Sequence, residues 1–263
     1  MIRHKRNFGK SNKMVQGGKA KIKKINHPPQ TTNITMRHQQ RNAVITSKRG
    51  AERQSFNWNN IKYTKVKPIW KGETVFIIGG GPSLSKFDFN RLKDKNTLAI
   101  NKAVQTCPWA DILYWTDSRV YSWLKNDIGK FKGDKYTIKP FNTPPDVKVL
   151  KNTGTKGLEL DPSGIRHGNN SGYAAINLAY HLGVNRIVLL GFDMGNMAGK
   201  GHFHEGYPVN MTMDKTYETK MLPTFDSLVY PLKENGIEII NASPVSKIRC
   251  FTKMNIEKAL LLG

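Results

Sequence analysis

The sequence predicts an α/β fold, a mostly parallel sheet with helices on both faces, preceded by a basic extension. Three observations predict it. From about residue 67 onward, short β-rich runs alternate with helical patterns, the signature of strands joined by crossover helices. The first run, Thr74-Val75-Phe76-Ile77-Ile78, is continuously apolar, as a strand covered on both faces must be, and it ends directly in Gly79-Gly80-Gly81-Pro82-Ser83-Leu84. Polar and glycine-rich residues then recur just after the strands, where open parallel sheets hold their ligands.

Leu98-Ala99-Ile100-Asn101 and Ile112-Leu113-Tyr114-Trp115 are the second and third strands, and Lys135–Ile138 and Val147–Leu150 follow as weaker candidates. The run Tyr173–Leu182 places apolar residues at three and four spacing and is closed by Gly183, which reads as a helix with its C-cap. Arg186-Ile187-Val188-Leu189-Leu190 is the next strand. A second helix near Tyr217–Lys233 ends before Asn235-Gly236, and Ile237–Asn241 is the last strand. No internal repeat interrupts this order, which is Rossmann-like.

Charge divides the chain in two. Of a formal net charge of +23 over 263 residues, residues 1–70 contribute +16, with 17 Lys/Arg against the single acid Glu52, leaving +7 for the remainder. Stretches such as Lys19-Ala20-Lys21-Ile22-Lys23-Lys24 have too few apolar residues to offset chain entropy, so residues 1–66 are expected as a flexible, disordered extension and 67–263 as the folded domain. Such a tail attracts nucleic acid or another polyanion through counterion release, or else is simply solvated. No run of about 18 apolar residues and no apolar segment behind the basic start is present, so the expectation is a soluble, cytoplasmic protein with no transmembrane segment. Cys107 and Cys250 lack metal or redox spacing and read as buried free thiols in a reducing compartment.

The strand ends carry the candidate site. Gly79, Gly80 and Gly81 let backbone N–H groups approach an anion, Pro82 stiffens the loop and Ser83 adds a hydroxyl; the pattern is neither G-x-G-x-x-G nor a P-loop. Asn101 follows the second strand. Asp117, after the third, is either a helix N-cap or a ligand to ribose or metal. Gly168-Asn169-Asn170-Ser171-Gly172 opens the long helix and directs its amides at an anion. Asp193 follows the Arg186–Leu190 strand, and His202 and His204 lie in a glycine-flanked loop without apolar periodicity, as general-base or metal-ligand candidates; a metal would need Asp193 or Asp117 as third ligand. Ser243, in Asn241-Ala242-Ser243-Pro244, ends the last strand on the same face.

In their order, Val75–Leu84, Asn101, Asn170-Ser171-Gly172, Leu190-Gly191-Phe192-Asp193 and Asn241–Pro244 resemble the MptE-like and motility-accessory-factor family, which is related to the bacterial single-domain sialyltransferases. Trp70-Lys71-Gly72-Glu73 ahead of the first strand resembles the copies carried by tailed bacteriophages. The resemblance implies two activities. In the sialyltransferase manner, the glycine loop, Asn101 and Ser171-Gly172 hold a nucleotide-sugar donor, and a histidine, His204 ahead of His202, deprotonates the acceptor. The tyrosines that hold the leaving phosphate in those enzymes have no clear match, although Tyr207, Tyr217 and Lys200 are available. In the MptE manner, diphosphate passes from ATP to a hydroxymethylpterin with Mg²⁺ held by Asp117 and Asp193. The glycosyltransferase reading is the favoured expectation, acting on a phage or host polymer such as DNA or a surface glycan. A nucleotide- or nucleic-acid-binding accessory protein without catalysis is the alternative from another class.

Overall fold

Strand β1 (Thr74–Ile78) lies at the middle of an eight-stranded sheet, and its residues alternate between two apolar layers. Val75 and Ile77 pack into one core and Phe76 and Ile78 into the other, which is why the run had to be apolar throughout. The same alternation holds in β2 (Thr97–Ile100), β3 (Ile112–Trp115) and β8 (Arg186–Leu190). The remaining strands are β4 (Asp134–Thr137), β5 (Val147–Val149), β6 (Lys151–Gly154), β7 (Gly164–Arg166), β9 (Glu238–Asn241) and β10 (Thr252–Lys253). In this computed structural model, residues 61–140, 143–196, 201–204, 207 and 214–263 are described.

The sheet order is β10-β9-β8-β1-β2-β3-β4-β5, and every pairing within it is parallel. The chain winds outward from β1 to β5, then returns to the other side of β1 with β8. The order therefore reverses between β1 and β8, the point at which a crevice opens outside the carboxyl ends of a doubly wound sheet. Strands β6 and β7 form a separate parallel pair, bulged between Asn152 and Gly154.

Helices cover both faces. On one lie α3 (Ser171–His181) and α5 (Leu222–Glu234), which bury Ala174, Leu178, Phe225 and Leu228. On the other lie α1 (Ala103–Thr106), α2 (Ser118–Lys130) and α6 (Ile256–Ala259). Helix α4 (Asp214–Thr216) runs through a π-helical turn at Tyr217–Met221 into α5. That wide turn has a local cause: Pro223 has no N–H to offer the Thr219 carbonyl, so the regular ladder cannot continue through it.

The folded unit takes up the chain slightly earlier than the boundary expected at residue 67. Thr64 N–H donates to the Val149 carbonyl at 2.8 Å, Val66 N–H donates to Pro162 at 2.9 Å, and Val66 is 4% exposed within the core. Residues 1–60, on which the expectation of a flexible extension falls, lie outside the described residues. Both cysteines are free; burial pushes the thiol of buried Cys107 up to about 12, and burial with the neighbouring Asp226 does the same to half-buried Cys250. Among the described residues no helix is long and apolar enough to cross a membrane.

Candidate functional site

A cleft of about 530 Å³ opens at the β1/β8 switch point. It draws its walls from six strand ends, and it contains Gly79, Gly80, Gly81, Asn101, Asp117, Asn169, Asn170, Ser171, Gly172 and His202 of the sequence candidates. Pro82, Ser83, Asp193 and Ser243 stand behind its walls. His204 stacks against His202, ring centroids 4.9 Å apart, without lining the cleft itself.

The glycine loop has a different job from the one its sequence invites. Gly79 N–H donates to Leu190 O and Gly81 N–H to Gly191 O, both at 2.8 Å, while Ser83 N–H donates to Asp193 Oδ2 at 2.7 Å. Two of the three glycine amides, those of Gly79 and Gly81, are thus committed within the protein and zip the loop to the β8 strand end, while Gly80 lines the cleft. Glycine is required by contact. A Cβ on Gly81 would lie 2.5 Å from Asp193 Cγ, and one on Gly79 would lie 2.7 Å from the Gly191 carbonyl oxygen.

Asp193, expected in catalysis or metal binding, is 2% exposed and accepts from both the backbone and the hydroxyl of Ser83, the latter at 2.6 Å. It is a clamp between the β1 and β8 loops. Ser243 braces the same strand end from the other side, its hydroxyl accepting from Phe192 N–H at 2.7 Å, while Ser246 Oγ donates to Phe192 O at 2.6 Å. Asp117 is the N-cap of α2, accepting from Arg119 N–H, and is ion-paired to the Arg119 guanidinium at 2.6 Å. That pairing with Arg119 holds its carboxyl below the usual range, and Lys139 adds to the effect. Among the described residues, no three His, Cys, Asp or Glu side chains gather as a metal-ligand set.

Anion-binding capacity comes instead from the opposite wall. Asn170 caps α3, its side chain accepting from Tyr173 N–H at 2.7 Å, so the first-turn amides of Ser171 and Gly172 face the cleft rather than a helical partner. Gly172 is fixed by the Phe192 ring, which a Cβ would approach to 2.6 Å. Asn101 adopts a left-handed φ of 52° and accepts from Ser171 Oγ at 3.1 Å; Asn169 is also left-handed, with φ 60°, and its side-chain amide donates to Lys220 O at 3.1 Å. Asparagine is among the few residues that take this conformation readily. Arg119 and Lys139 add two cations to the lining.

His202 is the reactive group this geometry singles out. Burial drives its pKa below the ordinary value, a bond to the Gly80 backbone opposes the shift, and Lys102 reinforces it. The imidazole is therefore neutral near pH 7. The bond to the Gly80 backbone ties the ring to the loop after β1. The loop is tied down at the same glycine, since Phe203 N–H donates to Gly80 O at 3.0 Å. Tyr207 meets His202 edge-on at 5.3 Å; burial, against bonds to the Lys102 backbone and the Asn101 side chain, pushes its phenol up to about 12.

Sequence reasoning missed Lys139, His167 and Met221, all of which line the cleft. Lys139 lies two residues past β4, so the strand-end rule applied to that strand would have found it. His167 follows β7, a three-residue strand too short to announce itself, and burial and Lys139 both lower its pKa. Tyr217 and Met221, four apart, reach the lining from the π-helical turn.

The chain is thus an α/β protein of doubly wound type with a basic, water-accessible cleft at its switch point. No family model matches it, and neither curated proteins nor solved structures give a match.

Proposed function

We propose that this protein is a glycosyltransferase-like enzyme that binds a nucleotide-sugar in the switch-point cleft and uses His202 as general base. The observation that carries the reading is the placement of a neutral, Gly80-anchored imidazole in the same cleft as Arg119, Lys139 and the α3 amino terminus. The cations and amides suit a diphosphate or phosphate leaving group, whose charge grows as the glycosidic bond breaks. His202 takes the proton of the acceptor hydroxyl as its oxygen attacks the anomeric carbon, and the nucleotide departs with the bonding electrons. The resemblance of the strand-end residues to those of sialyltransferase-like proteins supports the same reading, with His202 in place of His204 as the base.

The diphosphate-transfer alternative asks Asp117 and Asp193 to hold Mg²⁺. The residues do not fit that demand: Asp193 is occupied by Ser83 behind the wall, and Asp117 by Arg119 and the cap of α2. The test is nucleotide release from CMP-, UDP- and GDP-sugars with and without an acceptor. His202→Ala is expected to lower turnover by about 10²–10⁴-fold with donor affinity nearly unchanged. Unaltered turnover in that variant would remove His202 from the mechanism.

A further inference from the structure

The cleft holds a second imidazole, His167, that the transfer reading leaves unused. It follows β7 directly, and the loop it starts is fixed at each step. His167 N–H donates to Gly154 O at 3.0 Å, and its own carbonyl accepts from Asn170 N–H at 2.8 Å. Gly168 takes a left-handed φ of 50°, where a Cβ would lie 2.2 Å from Tyr173 Cγ. One residue before His167, Arg166 N–H donates at 3.1 Å to Oδ1 of Asn177, a fully buried residue of α3 that also accepts from Glu159 N–H at 2.9 Å. This polar anchorage gives the short β6–β7 pair a purpose, since it presents one side chain to the cleft from a rigid base.

The hydrogen bonding of the ring sets its chemistry. Asn169 N–H donates to His167 Nδ1 at 3.2 Å, and a backbone amide can only donate, so Nδ1 is the acceptor. Burial and the nearby Lys139 keep the ring from charging near pH 7. The neutral ring therefore carries its proton on Nε2, the nitrogen farther from the backbone, and can offer it as a donor. Lys139 lines the same cavity, and the one acid among the described lining residues, Asp117, is ion-paired to Arg119. Such a wall asks for a ligand group that accepts and does not donate, and a phosphate presents several oxygens of that kind.

We infer that His167 Nε2–H donates to a phosphate oxygen of the bound nucleotide, beside Lys139. A neutral donor bonds the phosphate without adding another positive charge to a cavity that already holds two cationic side chains. The inference rests on the nucleotide reading of the cleft, and not on sugar transfer or on His202.

Two substitutions separate this role from bracing of the loop. Asn can accept the Asn169 amide through its own Oδ1, as in an Asx turn, but is too short to reach the place of Nε2. Gln carries an amide donor close to that place and gives up the brace. The readout is calorimetric titration of the full chain with inorganic pyrophosphate, with EDTA present to remove divalent cations. Wild type and His167→Gln are expected to bind with similar affinity, and His167→Asn about ten- to a hundredfold more weakly. Wild-type affinity in His167→Asn, or a loss in His167→Gln as large as that in His167→Asn, overturns the inference, as does a wild-type chain that takes up no pyrophosphate. In the unsubstituted protein, ring-nitrogen NMR spectra are expected to place the His167 proton on Nε2 and to show that nitrogen shifting as pyrophosphate is added. A ring protonated on Nδ1 alone, or an Nε2 that pyrophosphate leaves unmoved, also overturns it. Sugar transfer is read separately, by nucleotide release in His202→Ala, so it can fail while phosphate binding at His167 stands, and the reverse.

Discussion

Asp193 shows how one carboxylate can matter to a site without touching its ligand. It joins the loops after β1 and β8 through the backbone and hydroxyl of Ser83, 110 positions away in sequence. Asp193→Ala would leave the part-buried Ser83 N–H without its acceptor, at a cost of about 1–3 kcal/mol, and loosen the cleft floor. The expected outcome is a lower melting temperature and a weaker donor KM with the pH dependence of kcat preserved. A shifted kcat profile would instead make Asp193 part of the proton path. His202 differs in kind, and for it the profile is the readout. Its depressed pKa predicts an acid limb in kcat/KM with a midpoint below the ordinary imidazole value of 6.5, abolished in His202→Ala.

At the scale of elements, the π-helical turn at Tyr217–Met221 is a local irregularity with a use, since it delivers two side chains to the cleft. Pro223→Ala supplies the missing N–H. The turn is expected to regularise, adding about 0.5–1.5 kcal/mol of stability from the new hydrogen bond while turning Tyr217 away from the ligand. A higher melting temperature with a smaller ligand-induced shift is the anticipated pair of results; an unchanged shift would mean that Tyr217 has no role. Elements such as β1, β3 and β8 were legible in sequence to the residue because burial on both faces demands an unbroken apolar run. Strands β6 and β7 were not, since Lys151–Gly154 is polar and half exposed and Gly164–Arg166 has three residues. The expectation of a mostly parallel sheet proved conservative, as all its pairings are parallel.

The site was legible to the extent that position relative to a strand end decides it. Asn101, Ser171 and His202 were found that way and do converge. What sequence could not resolve was which polar groups spend themselves on one another, because the pairs Ser83–Asp193 and Phe192–Ser243 form only when the sheet brings β1, β8 and β9 side by side.

Among the described residues, three histidines, His167, His181 and His202, have pKa values lowered chiefly by burial. The unfolded chain then binds more protons than the folded one as pH falls from 6.5 through the folded values, so folding stability is full above 6.5 and declines below it. Carboxyls held low, among them Asp117 by Arg119, extend the loss at still lower pH. Calorimetry is expected to show a melting temperature that begins to drop below about pH 6.5. A flat profile down to pH 5 would contradict the burial of these rings.

The cleft between β1 and β8 is proposed to bind a nucleotide through amides and cations without a carboxylate-held metal. Melting temperatures of the full chain with CMP, UDP, GDP and ATP, each with and without Mg²⁺, test it most directly. A ligand at about 100 times its Kd adds about 2.7 kcal/mol, which for a domain of this size raises the transition by about 5–10 °C. Such a rise is expected with CMP, UDP or GDP in the absence of Mg²⁺. A rise confined to ATP with Mg²⁺ would contradict it.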